Sequence, residues 1–329
     1  MRGWQRKKRF PPFAIEKLLG HFENNGSVGF SRELAILWSE PILAGNEAMQ
    51  NWRIFCLGCI EQEDFLWLQT VKEILSFSNQ WTAMYSAAQE SPLESRFGVF
   101  KEFLGTVVGP KFGLPMELSE EIQGSSDWDG LRPALTWLVV ESFLYFTSLA
   151  EAEYIEKCFL DKGSIVAKKM LPKMKDARVQ YPVKLFFDSF FDRLVERGFY
   201  STLDEIAQRM PRILPGDEKV RAGERKKKTI DHDSGWRELS RAKYEGKAPS
   251  LETFRAWIEC LIPAEAYPDA CDPEGEKQAM FDAFVVARIL DKFFREIQVD
   301  VPAEQLIEQF GRYEAWYQYH RSVLTEGRA

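Results

Sequence analysis

The chain is poor in histidine, the side chain most often used for general acid–base chemistry, with only three in 329 residues. His21, His232 and His320 are scattered, and none has a second metal-binding side chain at helical spacing. Asp231 and Asp233 flank His232, but adjacent residues on an extended chain do not share a face, so we expect a solvated loop there. We therefore predict no metal site and no cofactor.

The glycine-rich and nucleophile motifs of the common enzyme classes are also missing. The sequence has no GxxxxGK[ST] loop, no strand–GxGxxG–helix unit, no HExxH and no GxSxG. These absences argue against P-loop nucleotide binding, dinucleotide binding, zinc proteases and α/β-hydrolases. An enzyme of an unrecognised all-α class, built on scattered carboxylates, stays open as an alternative.

Cysteine is sparse and unpaired in pattern. The five cysteines form an odd, scattered set, and the basic N-terminus lacks the apolar segment of a secretory signal. Both features favour reduced thiols and a cytoplasmic protein. Cys56 and Cys59 have no second ligand pair and share the apolar stripe of a predicted helix, which favours buried structural cysteines over a metal knuckle; a redox pair stays open.

Uninterrupted apolar runs are short, and one segment requires a test as a membrane span. Pro133 to Ala150 has roughly the length needed to cross a bilayer and contains Glu141 as its single charged residue. A carboxylate at the centre of a span costs roughly 2.5–3.5 kcal/mol. We therefore predict a buried central helix at this position and no contact with membranes.

Helical periodicity dominates what is present. Aromatic residues make up 14% of the chain and recur at three- and four-residue spacing, most clearly from Val183 to Arg197. No segment shows the sustained alternation of a strand. We predict an all-α fold, with a multi-helix N-terminal body at 1–212 (including a basic arm at 1–10), a basic linker or loop at 213–235, and a smaller helical C-terminal domain at 236–329.

The segment from Lys219 to Lys247 is positively charged, in contrast to the acidic chain as a whole. This segment holds ten basic and five acidic residues, a net charge of +5, within a chain of net charge −7 and pI near 5.3. Such a segment suits phosphate contact, because neutralised phosphates release counterions, and it equally suits an acidic protein surface or a solvated linker. The candidate nucleic-acid-binding residues are Arg225, Lys226, Lys227, Lys228, Arg237, Arg241, Lys243 and Lys247.

Two helices joined by a tight turn are predicted directly after this linker. Trp236, Leu239 and Ala242 are expected on the apolar face of the first helix. Gly246 ends that helix, and Ser250 caps the next one. The apolar face of the second helix is predicted to consist of Leu251, Phe254, Trp257, Ile258 and Leu261.

The segment Leu239–Leu261, LSRAKYEGKAPSLETFRAWIECL, resembles the second half of a Cro/repressor-like helix-turn-helix domain. In that family the recognition helix ends in a Gly-Lys turn, which is followed by Pro-Ser and an apolar packing helix. The resemblance covers 23 of the 329 residues. The nearest preceding helix, Leu203–Met210, is separated from it by a long polar insertion. The resemblance implies that Lys247 approaches phosphate and that the DNA groove is faced by Ser240, Arg241, Lys243 and Tyr244.

These patterns lead to two main hypotheses of function. The first is a non-enzymatic protein that contacts nucleic acid through its basic loop and helix, in a regulatory or complex-forming role. The alternative is an adaptor or complex subunit that binds only proteins through its aromatic-rich helices. A protein partner or a homo-oligomer is expected in addition to any nucleic acid.

Overall fold

The structure, a computed structural model, describes residues 68–92, 95–126, 130, 132–157, 163–209, 232–262, 273–298 and 301–326. Helices account for nearly all of the secondary structure in these ranges, and the remainder is one short hairpin. The predicted all-α fold is confirmed.

Helices precede and follow the hairpin along the chain. The first part of the described chain contains α1 Leu68–Glu90, α2 Arg96–Phe103, a π-helical turn Leu104–Val108, α3 Gly109–Phe112, α4 Met116–Gly124, α5 Arg132–Lys157 and α6 Ile165–Lys169. The hairpin consists of β1 Lys173–Lys175 and β2 Arg178–Gln180. The helices after it are α7 Pro182–Glu196, α8 Leu203–Arg209, α9 His232–Glu245, α10 Leu251–Leu261, α11 Pro273–Ile297, α12 Ala303–Phe310 and α13 Tyr313–Glu326.

Tertiary contacts divide the described residues into two compact units. One comprises 68–164 together with 308–326, and the other comprises 165–307. The predicted linker at 213–235 lies largely outside the described residues, so the division predicted from the sequence stays a prediction. The basic arm at 1–10 and the pair Cys56 and Cys59 also lie outside them.

The first unit is organised around α5. Every residue from Val140 to Glu153 is buried, and α13 packs along this helix. The carboxylate of Glu141 is ion-paired with Arg312, with 2.6 Å between Oε1 and Nε. The predicted buried central helix is confirmed, because its one central acid has a partner inside the protein. No helix in the described ranges has the length and apolar character needed to span a membrane.

The second unit is organised around α7, which packs against α9 and α11. The sequence prediction of a helix from Val183 to Arg197 is confirmed to within a residue, and Gly198 follows it at a φ of +70°. The apolar face of α7 contributes four phenylalanines to one aromatic cluster. The rings of this cluster belong to Phe186, Phe187, Phe190, Phe191, Phe254 and Phe284.

The helix pair α9 and α10 forms as the sequence predicts, with three corrections. The first is that α9 begins at His232, so His232 and Asp233 lie in a helix and not in the predicted solvated loop. Gly246 follows α9 at a φ of +64°, and the Oγ of Ser250 accepts a hydrogen bond from the Thr253 N–H at 3.0 Å. Trp236, however, is 39% exposed and does not join the buried residues of α9. A three-residue step turns a helix by roughly 300°, so the predicted stripe drifts and Trp236 falls at its edge. Leu251 is also exposed, because it is the first residue of α10 and the core does not extend to it.

The hairpin between α6 and α7 is absent from the sequence prediction. Its strands have three residues each, which is too short for alternation of apolar and polar residues to be visible. The two turn residues, Asp176 and Ala177, both have positive φ, at 50° and 57°. Positive φ at both central residues is the signature of a type I′ turn, which joins two antiparallel strands with their natural twist.

Candidate nucleic-acid interface

Helix α9 is held in the second unit by a narrow apolar stripe. Leu239 and Ala242 are almost completely buried, and α9 packs against α7 and α8. Because only this stripe is buried, the opposite side of the helix is available to a partner.

The outward side of α9 combines two arginines with two aromatic residues. Arg237 and Arg241 are exposed and lie four residues apart, which places them about 6 Å apart along the helix axis. Trp236 is 39% exposed and Tyr244 is 56% exposed. At about 100° per residue the four positions fall within an arc of roughly 140°. We refer to Trp236, Arg237, Arg241 and Tyr244 as the α9 face.

The guanidinium groups of the α9 face are available to a ligand. Within the ranges that the structure describes, neither Arg237 nor Arg241 forms an ion pair with a carboxylate. Glu238 is partly buried, and this desolvation raises the pKa of its carboxyl although the nearby Arg241 acts in the opposite direction. Arg241 interacts electrostatically with Glu238 and Glu245, but neither of these carboxylates forms an ion pair with it.

The structure does not bring the two predicted lysines of this segment into the α9 face. The Lys243 ammonium lies 5.6 Å from the centre of the Phe191 ring and is partly buried against α7. The Lys247 ammonium pairs with Glu245 at 2.7 Å, and the resulting hydrogen bond is the main reason that the pKa of the Glu245 carboxyl is lowered. Lys243 keeps its charge but is held against α7, and Lys247 shares its charge with Glu245, so Arg237 and Arg241 are the exposed cations of α9 that form no ion pair.

The turn after α9 fixes the helix pair to the rest of the unit. A Cβ added at Gly246 would lie 3.2 Å from the Cβ of Lys184 on α7, a tight contact, and the φ of +64° also favours glycine at this position. The Lys247 N–H donates to the Arg241 carbonyl at 3.1 Å and closes the end of α9. In addition, α8 packs against both α9 and α10. The α9 face is therefore presented by a well-anchored helix.

The remaining predicted site residues belong to the basic segment before α9. Arg225, Lys226, Lys227 and Lys228 lie outside the described residues. Among the residues that are described, no group of histidine, cysteine and acidic side chains is arranged to hold a metal ion. Sequence reasoning missed Trp236 as a member of the exposed face; the available signal was its position three residues before Leu239, at the edge of the stripe.

No family model, curated protein or solved structure matches this chain. Its function must therefore be inferred from its own residues.

Proposed function

We propose that this protein contacts nucleic acid through the α9 face, in a regulatory or complex-forming role within the cytoplasm. The observation that carries the proposal is the pair of exposed guanidinium groups of Arg237 and Arg241, flanked on the same side of the helix by the exposed rings of Trp236 and Tyr244. The most deeply buried residues of α9 are Leu239 and Ala242, which lie on the other side of the helix.

Each half of this face suits a different part of a nucleic acid. Arginine offers a planar fork of donors that matches phosphate oxygens. Exposed aromatic rings stack on unpaired bases, and each stacked base is worth about 1–3 kcal/mol. Arginines and rings on one helix side therefore allow simultaneous contact with backbone and bases.

The surroundings of α9 support the same proposal. The nearest helix before α9 is α8, which packs against it although a long polar insertion separates the two along the chain. Since α8 ends at Arg209 and α9 begins at His232, both ends of the intervening basic segment are anchored in this region. That segment contains Arg225 to Lys228, which can add phosphate contacts to those of the arginines.

A charge reversal at the two arginines tests the proposal. We expect the variant Arg237→Glu/Arg241→Glu to lose tenfold or more in affinity for labelled duplex DNA or single-stranded RNA, measured by fluorescence anisotropy. The slope of log affinity against log salt concentration should decrease by about two, because each lost phosphate contact reduces it by about one. The matched control is Lys72→Glu/Lys292→Glu, which reverses two exposed charges on other helices.

The basic segment offers a second variant. Lys226→Glu/Lys227→Glu/Lys228→Glu should also weaken binding and its dependence on salt. Equal binding by the wild type, the control and both reversal variants would overturn the proposal.

A protein partner is the second candidate, and the composition of the same face favours it. Tryptophan, tyrosine and arginine are the residues enriched at the energetic centres of protein interfaces. An adaptor of this kind would lose its partner in a Trp236→Ala/Tyr244→Ala variant and would show no salt-dependent affinity for DNA or RNA. A pull-down with the wild type and this variant, beside the anisotropy titration, separates the two functions.

A further inference from the structure

The segment around the β-hairpin is a second basic surface, remote in sequence from α9. Residues 165–180 contain five basic residues and one acid, a net charge of +4, although the whole chain has a net charge of −7. All five cations are exposed. They are Lys168, Lys169, Lys173, Lys175 and Arg178.

The register of the hairpin sorts its side chains into two faces. Lys173 pairs with Gln180 and Lys175 pairs with Arg178, so the three cations share one face. Met174 pairs with Val179 on the other face. We refer to Lys173, Lys175 and Arg178 as the hairpin cations.

This arrangement is unfavourable for the hairpin by itself. Lys175 and Arg178 are directly opposite each other, and like charges in that position destabilise a strand pair. Ala177 has a φ of 57°, a conformation that costs a residue with a Cβ about 1–2 kcal/mol. Within the described residues, no carboxylate forms an ion pair with the hairpin cations. An anionic ligand bound to the hairpin cations would remove the repulsion between Lys175 and Arg178.

We propose that the hairpin cations bind the phosphate backbone of a nucleic-acid duplex, with the two-stranded ribbon placed at the major groove. The dimensions agree: strands lie about 4.7–4.9 Å apart, Lys173 and Lys175 lie about 7 Å apart along β1, and a groove about 12 Å wide admits such a ribbon. A duplex carries one charge per about 1.7 Å of its axis, so it can neutralise all three cations together.

The composition of the hairpin favours a duplex over a single strand. Residues 173–180 contain no aromatic side chain, so they offer no surface on which unpaired bases can stack. This inference extends the proposed function to a second surface and names its ligand, but it concerns residues outside the α9 face. Its variants leave Arg237 and Arg241 in place, so the two proposals fail separately.

The test removes two hairpin charges from the full chain. We expect Lys173→Gln/Lys175→Gln to bind labelled duplex DNA about tenfold more weakly than the wild type, with a salt slope reduced by about two. Its affinity for a single strand of the same sequence should stay within twofold. The matched control, Lys72→Gln/Lys292→Gln, removes two exposed charges from helices and should bind the duplex as the wild type does.

A second variant and a measurement of thermal stability distinguish loss of charge from loss of folding. Lys173→Arg/Lys175→Arg keeps the charges and should keep duplex binding. The thermal midpoint of the glutamine variant should not fall below that of the wild type, since the substitution relieves repulsion.

Three results would overturn the proposal. The first is that the wild type, the glutamine variant and its control all bind the duplex with equal affinity. This result would refute the hairpin proposal but not the proposal for the α9 face. The second is that the glutamine variant loses as much affinity for the single strand as for the duplex. The third is that it loses as much affinity for polyglutamate as for the duplex, which would indicate that the ligand is an acidic protein surface. Absence of any nucleic-acid binding by the wild type would remove both this proposal and the proposed function.

Discussion

Replacing Arg312 by methionine should destabilise the first unit by about 3 kcal/mol, because the substitution leaves a buried carboxylate without its counter-charge. The side chain of Glu141 is fully shielded from solvent, whereas that of Arg312 is 41% exposed. The indole N–H of Trp316 donates to the same carboxylate oxygen at 2.6 Å, and the amide of Gln309 donates to the other oxygen at 3.1 Å. The variant therefore keeps two hydrogen bonds to the carboxylate but loses the ion pair, a hydrogen bond to the Phe112 carbonyl at 3.4 Å and the contact with the Trp137 ring.

The magnitude follows from the unequal burial of the two partners. Removal of one member of a fully buried pair costs about 3–5 kcal/mol. Water can reach part of the Arg312 side chain, so we take the lower end of that range. Methionine retains much of the aliphatic packing of arginine, which limits any loss from a cavity. The exposed pair Lys247–Glu245 is the control, and Lys247→Met should cost no more than about 1 kcal/mol.

A double-mutant cycle measures the interaction itself. Urea unfolding would be followed for the wild type, Glu141→Gln, Arg312→Met and the double variant. We expect the double variant to be less destabilised than the sum of the two single variants, by about 1 kcal/mol or more, because a neutral amide needs no counter-charge. Additive effects, or an Arg312→Met variant no less stable than Lys247→Met, would refute this reasoning.

Three further predictions follow from local features. Gly246→Ala should destabilise the protein by about 1–2 kcal/mol in urea unfolding, because Gly246 has a positive φ and lies close to α7. The control is Gly98→Ala, whose added Cβ would have nothing within 4 Å. This control should be neutral or stabilising by up to about 1 kcal/mol. Ser250→Ala should cost about 1 kcal/mol by loss of the N-cap, and Ser250→Asp should retain the cap. Burial lowers the pKa of His320 to about 3, below its ordinary 6.5. The unfolded chain therefore binds more protons between these values, stability should fall as pH drops through that window, and His320→Leu should flatten the dependence. Wild-type stability that is unchanged between about pH 7 and pH 5 would contradict this assignment.

Several features of the fold could be predicted because they depend on local rules. Gly246 and Ser250 mark helix ends through backbone freedom and side-chain capping, and neither requires knowledge of distant residues. Burial of α5 was predictable because a single acid, Glu141, disfavours a membrane span, whereas a protein core can supply it with an ion-pair partner. The identity of its partner was not, since Arg312 lies 171 residues further along the chain.

The candidate site was only partly predictable for a similar reason. Arg237 and Arg241 follow from helical spacing, but the availability of a charge depends on tertiary packing. Lys243 is held over the ring of Phe191 on another helix, and no pattern within α9 shows this. The common face of the hairpin cations could not be predicted, because it depends on a register between two three-residue strands that carry no periodic signal.

The most direct test of the central claim is a titration of labelled duplex DNA and single-stranded RNA with the full chain, measured by fluorescence anisotropy at low and at physiological salt. We predict binding that weakens steeply as the salt concentration rises, because arginine and lysine side chains displace counterions from phosphates. Absence of binding to both ligands at low salt would contradict the claim and would direct attention to a protein partner of the α9 face.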